Sequence, residues 1–120
     1  TLNKAAIAKV GLEADKAQGG IDILIPLTHQ FIAQDRAMAE ELTKLAPTLK
    51  GKVPLICGGH EHEIFIEDNA GSLIVKVGAD AVNAGLIDVW WDAEGRVHVA
   101  VQLLPLCGFQ APASCPCTAD

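Results

Sequence analysis

Three histidines carry the chemistry this chain could perform. His29 lies in "LTHQ", and His60 and His62 lie in "GGHEHE". A neutral imidazole offers a nitrogen lone pair to zinc, iron, nickel or copper, so imidazoles that meet at one place point to a transition-metal site. Each stretch follows an apolar run, "IDILIPL" (21–27) before His29 and "VPLIC" (53–57) before His60. Loops leaving the ends of neighbouring parallel strands form the ligand crevice of an open α/β sheet, so the two runs would bring the histidines to one edge. Gly58 and Gly59 let the backbone turn sharply and come close to a ligand. Glu61 points away from its two histidine neighbours if the segment is extended. The fourth histidine, His98, alternates with Arg96 and Gln102 on a wet strand face and reads as a surface side chain.

These loops need elements to hold them. Residues 4–18 read as a helix, with Asn3 as cap, Ile7, Val10, Ala14 and Ala17 at helical spacing, and Gly19-Gly20 closing it. "IDILIPL" has the length and continuous apolar character of a strand buried on both faces. Residues 31–46 form the next helix, with Asp35 near its positive end, Met38, Leu42 and Leu45 on one face, and Pro47 beyond its end. "VPLIC" is then a second buried strand, and strand–helix–strand implies a right-handed parallel crossover. Two hairpins follow: "EIFIE" (63–67) with "SLIVKV" (72–77) around "DNAG", and "GLIDVWW" (85–91) with "RVHVAVQL" (96–103) around "DAEG". From about Pro105 the composition is that of an unstructured tail.

The bulk numbers narrow the function. The chain has 120 residues, half of them apolar, and a net charge of −6. That is the size of one domain with a real core and the composition of a folded one. Lys and Arg form no cluster, which argues against a nucleic-acid polymer as partner. No apolar run reaches the roughly 18 residues of a membrane span, and the first residues lack the pattern of a signal peptide. Thr1 leads almost at once into a helix-like segment, so the chain reads as a piece of something longer. Cys57 sits inside an apolar run as a small hydrophobe. Cys107, Cys115 and Cys117 crowd into the end of the chain, make no disulfide framework and leave the compartment undecided.

"DILIPLTHQ", "DRAMAEEL", "PLICGGHEHE" and "IVKVGADAVNAG" together resemble the C-terminal half of a calcineurin-like metallophosphoesterase domain, nearest to the 5'-nucleotidase group. The likeness runs over roughly residues 5–104. It implies an α/β fold, half of an αββα sandwich with a dinuclear zinc, manganese or iron centre between its layers. It implies a partial catalytic domain over 1–104 and a tail over 105–120. By the same resemblance His29 and His60 bind one metal and His62 the other, with Thr28, Gln30, Gly58 and Gly59 as supporting or turn residues. The expected reaction is hydrolysis of a phosphate monoester, such as a nucleotide, by a metal-activated water.

The family's remaining ligands sit on an Asp-x-His, a Gly-Asp and a Gly-Asn-His motif, and none of these occurs here. The resemblance therefore implies a missing N-terminal half, supplied in the same chain or by another. It implies at most one metal in the isolated chain, no catalytic residue within it, and no activity by itself. Two other readings stay open: a non-enzymatic remnant or interaction module that binds one ion or none, and a mononuclear three-histidine zinc hydrolase. Trp90 and Trp91 straddle a strand, so one indole is expected to pack inward and the other to lie at a surface. Lys76, Asp80 and Asn83 are expected to serve turns and strand ends.

Overall fold

The computed structural model of the chain describes residues 8, 9, 13, 20–45 and 49–106. The described part is mixed α/β: one helix, α1 (Ile32–Leu45), and five strands in two sheets. The strands are β1 (Leu55–Cys57), β2 (Ile64–Asn69), β3 (Ser72–Val77), β4 (Asn83–Trp91) and β5 (Val97–Pro105). Most of the helix expected over 4–18 lies outside the described residues; Ala8, Lys9 and Glu13, which are described, are helical. Cys107, Cys115, Cys117 and Pro47 also lie outside them.

The larger sheet has the order β1-β3-β2, with β1 parallel and β2 antiparallel to β3. "IDILIPL" does not form a regular strand. It runs extended beside β1, with Leu27 and Cys57 as parallel bridge partners. Leu24 N–H donates to Lys52 O at 2.7 Å, Cys57 N–H to Pro26 O at 3.0 Å, and Thr28 N–H to Cys57 O at 2.9 Å. Pro26 has no N–H to give, and Pro54 turns its carbonyl to β3, accepting from Leu73 N–H at 2.8 Å, so the ladder between the two segments breaks in its middle. The parallel neighbourhood that the apolar runs imply is present, in an irregular form. β1 lies between this segment and β3, which accounts for the continuous burial of Val53 to Ile56.

Helix α1 begins where Gln34 Oε1 accepts from Phe31 N–H at 3.0 Å, a side chain reaching back over the first turn. Its inward stripe is Asp35, Ala39 and Leu42, at i, i+4 and i+7. Ala39 packs with Ile56, Ile74 and Ile32, and Leu42 packs with Leu49, Val53, Leu24 and Met38. The helix thus covers one face of the larger sheet. On the opposite face Leu27, Cys57, Val75 and Ile66 form a row of cross-strand neighbours. Leu27 is 83 % exposed there and Ile66 41 %.

Both hairpins form. β2 and β3 are joined by Ala70 and Gly71 with φ of 52° and 82°. Two left-handed residues make the turn whose twist matches that of the strands. β4 and β5 pair from Asn83 with Pro105 to Trp91 with Val97, so β5 extends two residues past the expected Leu103. Asp92 organises their loop. Its carboxylate accepts from Glu94 N–H, Arg96 N–H and Arg96 Nε and lies 2.9 Å from His98 Nε2. The His98 contact, with help from Arg96 and Glu94, lowers the Asp92 pKa from 3.8 to about 2. Neither indole packs inward: Trp90 and Trp91 both stay about half exposed, and Trp90 stacks on His98 with centroids 5.5 Å apart. At this end of the two-stranded ribbon no described element covers either face.

Candidate functional site

His29 and His60 come together. They leave the ends of parallel neighbours, one from the Leu27 bridge position and one from β1, and their ring centroids lie 5.3 Å apart, edge to face. Phe31, itself 58 % exposed, packs edge-on against His60 with centroids 4.3 Å apart. Two imidazoles holding one tetrahedral ion at about 2.1 Å from each nitrogen have centroids on the order of 5 Å apart. The observed spacing fits shared coordination. His62 is not part of this pair. It lines an open cleft of about 490 Å³, with Glu63, Ile64, Asp80, Val82 and Asn83 among its walls. Among the described residues no three His, Cys, Asp or Glu side chains converge as donors to one ion.

The turn that presents His60 is not made by the two glycines, as the sequence suggests. The left-handed residues are His60, with φ of 101°, and His62, with φ of 63°. Such backbone costs a side-chain-bearing residue on the order of 1–3 kcal/mol and persists only where its surroundings impose it. Gly58 is required for a different reason. A Cβ there would lie 2.8 Å from Lys76 Cε and 3.1 Å from both Asp35 Oδ2 and Thr28 Oγ1. The close approach at Gly58 is to a buried lysine, not to a ligand. Gly59 meets only His29 Nδ1, at an ordinary 3.5 Å.

That lysine stands next to the last residue of β3, but it is 2 % exposed, on the face that meets α1, and its partners are buried or partly buried. Its ammonium donates to Gln30 O at 2.6 Å, Gly59 O at 2.9 Å and Glu61 Oε2 at 2.5 Å. Asp35 Oδ2 lies 2.9 Å away as an ion-pair partner, although its geometry makes no hydrogen bond. Gln30 Nε2 in turn donates to Asp35 Oδ1 at 2.8 Å. Glu61 uses its other oxygen to accept from Ile32 N–H, the first amide of α1, where a carboxylate also meets the positive end of the helix.

The electrostatics follow from this arrangement. Desolvation works against the Lys76 ammonium, but the hydrogen bond to Glu61 and the nearby charges of Asp35 and Glu61 outweigh it and raise its pKa. Desolvation also opposes the Glu61 carboxylate, yet the bonds from Lys76 and Ile32 N–H leave its pKa lowered. Burial raises the pKa of the Cys57 thiol, as expected for a small hydrophobe within β1.

The supporting residues fall where the two loops meet. Gly59 N–H donates to Thr28 O at 3.1 Å and Gly58 N–H to Val75 O at 2.9 Å. Thr28 Oγ1 is buried, with no hydrogen-bond partner among the described residues. Asn83 does act at a strand end, donating from Nδ2 to Val77 O at 3.3 Å. Two signals in the sequence could have exposed the network. Lys76 interrupts the apolar run "SLIVKV", and Asp35 falls on the same helical stripe as Ala39 and Leu42.

No family model, curated protein or solved structure matches the chain. Its chemistry therefore has to be argued from the site itself.

Proposed function

We propose that this chain supplies the histidine half of the metal centre of a metal-dependent phosphoesterase, of the kind that hydrolyses phosphate monoesters such as nucleoside 5'-monophosphates. The observation that carries the reading is the side-by-side placement of His29 and His60 at the ends of parallel neighbours. Two neutral imidazoles at that spacing are a donor pair for one divalent ion. His62, on the adjoining cleft, is left to serve a second ion, as the family resemblance implies. When bound, such ions supply a water of lowered pKa and clamp the phosphate oxygens. The chain's own part is to hold His29 and His60 at one spacing, with the Phe31 ring against His60. The bridging carboxylate and the group that assists the leaving alcohol are assigned to the complementary half of the domain.

The test is phosphate release from p-nitrophenyl phosphate and a nucleoside 5'-monophosphate, with manganese or zinc, by the protein expressed from its complete reading frame. His29→Ala and His60→Ala should each lower the rate by at least a hundredfold, because members of a metal centre act as a unit. Rates that survive both substitutions would refute the reading. A second reading is a non-catalytic interaction module that binds one ion or none. The exposed Leu27 and Ile66, at the two ends of a row whose inner residue Val75 is buried, favour it. Metal uptake without any phosphate release would select it.

A further inference from the structure

We propose that Lys76 is the positioning residue of the His29–His60 pair, a buried ammonium that clamps the two histidine loops into one geometry. The proposal deepens the metal-site reading and rests on it for its functional meaning. The geometry of the clamp stands independently.

A lysine is among the residues least often found fully buried, and its position in β3 is flanked by the buried Ile74 and Val75. A methionine would fill the same space without desolvating a charge, so packing alone gives no reason for the ammonium. Its partners do. The three protons of an ammonium can serve three acceptors, and here they reach Gln30 O, Gly59 O and Glu61 Oε2. Gln30 follows His29 in the chain, and Gly59 and Glu61 flank His60. Every hydrogen bond from this ammonium therefore ends on a residue adjacent to one of the two ligand candidates. None ends elsewhere among the described residues.

Two further observations agree. The left-handed backbone of His60 needs an external constraint, and bonds to the residues on both sides of it supply one. Gly58 leaves the space through which the lysine stem passes, since a Cβ there would collide with Lys76 Cε. Asp35 offsets the buried charge from α1, and Glu61 ties the clamp to the first turn of the same helix. Buried polar networks of this sort specify one arrangement more than they add stability.

The experiment compares the full chain with Lys76→Met. Because that change leaves Asp35 buried without its counter-charge, a second variant, Asp35→Asn with Lys76→Met, removes both charges. Retained amide protection in β2 and β3 establishes that a variant is folded. Two readouts then follow, neither of which a purely structural lysine would move in a folded variant. One is the nuclear Overhauser contact between the His29 and His60 rings in metal-free protein. The other is cobalt(II) affinity followed by its visible absorption.

The expected result is loss of the ring contact and at least a tenfold loss of cobalt affinity, with the His62 imidazole signals unmoved. A folded variant that keeps the ring contact, or binds cobalt within threefold of the parent, overturns the proposal. So does unfolding of both variants, because the ammonium would then hold the fold and not the pair. A parent chain that binds no cobalt would refute the metal-site reading alone, and the ring contact would still decide the role of Lys76.

Discussion

Gly58→Ala tests how tightly the two loops are locked. A methyl at this position would stand 2.8 Å from Lys76 Cε and 3.1 Å from Asp35 Oδ2 and Thr28 Oγ1. The lysine cannot step aside, because its Nζ is held by four oxygens between 2.5 and 2.9 Å. Overpacking of this kind costs about 1–3 kcal/mol. Against it stands the gain of about 0.4–1 kcal/mol from a less flexible unfolded chain, available because the Gly58 backbone is not left-handed. The central values leave a net loss of about 1.3 kcal/mol, within a span from near zero to about 2.6 kcal/mol. For a domain of this size, at about 4 °C per kcal/mol, the central value lowers Tm by roughly 5 °C. Gly59→Ala is the control in the same loop, since its Cβ would meet only His29 Nδ1 at 3.5 Å. That variant should be as stable as the parent or slightly more so. Thermal melts by circular dichroism, with urea titration for the free energies, measure both. A Gly58→Ala protein as stable as the parent would refute the claim that Lys76 is fixed against this glycine.

Three other expectations concern the frame. Ala70 holds φ of 52° in the two-residue turn between β2 and β3, so Ala70→Gly should stabilise the chain by roughly 1 kcal/mol in urea titration. Asp92 has its pKa lowered from 3.8 to about 2 in the folded chain, so its contribution is complete above 3.8 and fades as pH falls towards 2. The Tm gap between the parent and Asp92→Asn should shrink over that window; a constant gap would show that the carboxylate charge is not what holds the loop. Arg36 grips Glu67 through two hydrogen bonds, but both side chains are partly exposed, so Arg36→Ala should leave the Tm almost unchanged, and any difference should shrink further in high salt.

What the sequence made legible was local. The β2–β3 and β4–β5 hairpins follow from "DNAG" and "DAEG" between alternating runs, and helix α1 from a stripe of the right period. The parallel neighbourhood of the two apolar runs was legible from their composition, but the regular strand over 21–27 was not realised. Pro26 removes a donor from that ladder, and a reading by apolarity alone gives it too little weight. Hydrophobic patterning places charges outside, so a buried set drawn from a helix, a loop and a strand escapes it. Asp35, Glu61 and Lys76 each look like solvated residues alone, and only the fold brings them within ion-pair distance. The same patterning assigned the loop's sharp turn to Gly58 and Gly59, although the histidines take the left-handed conformations and the adjoining network holds them there.

In the proposed centre His29 and His60 act as one metal-binding pair to which His62 does not belong. A zinc titration of the nitrogen-15-labelled chain, read at the individual imidazole nitrogens, tests this. The expected result is that the His29 and His60 signals move together along a single binding curve while those of His62 and His98 stay in place. If either His29 or His60 remains still, or if His62 moves on the same curve, the claim is contradicted.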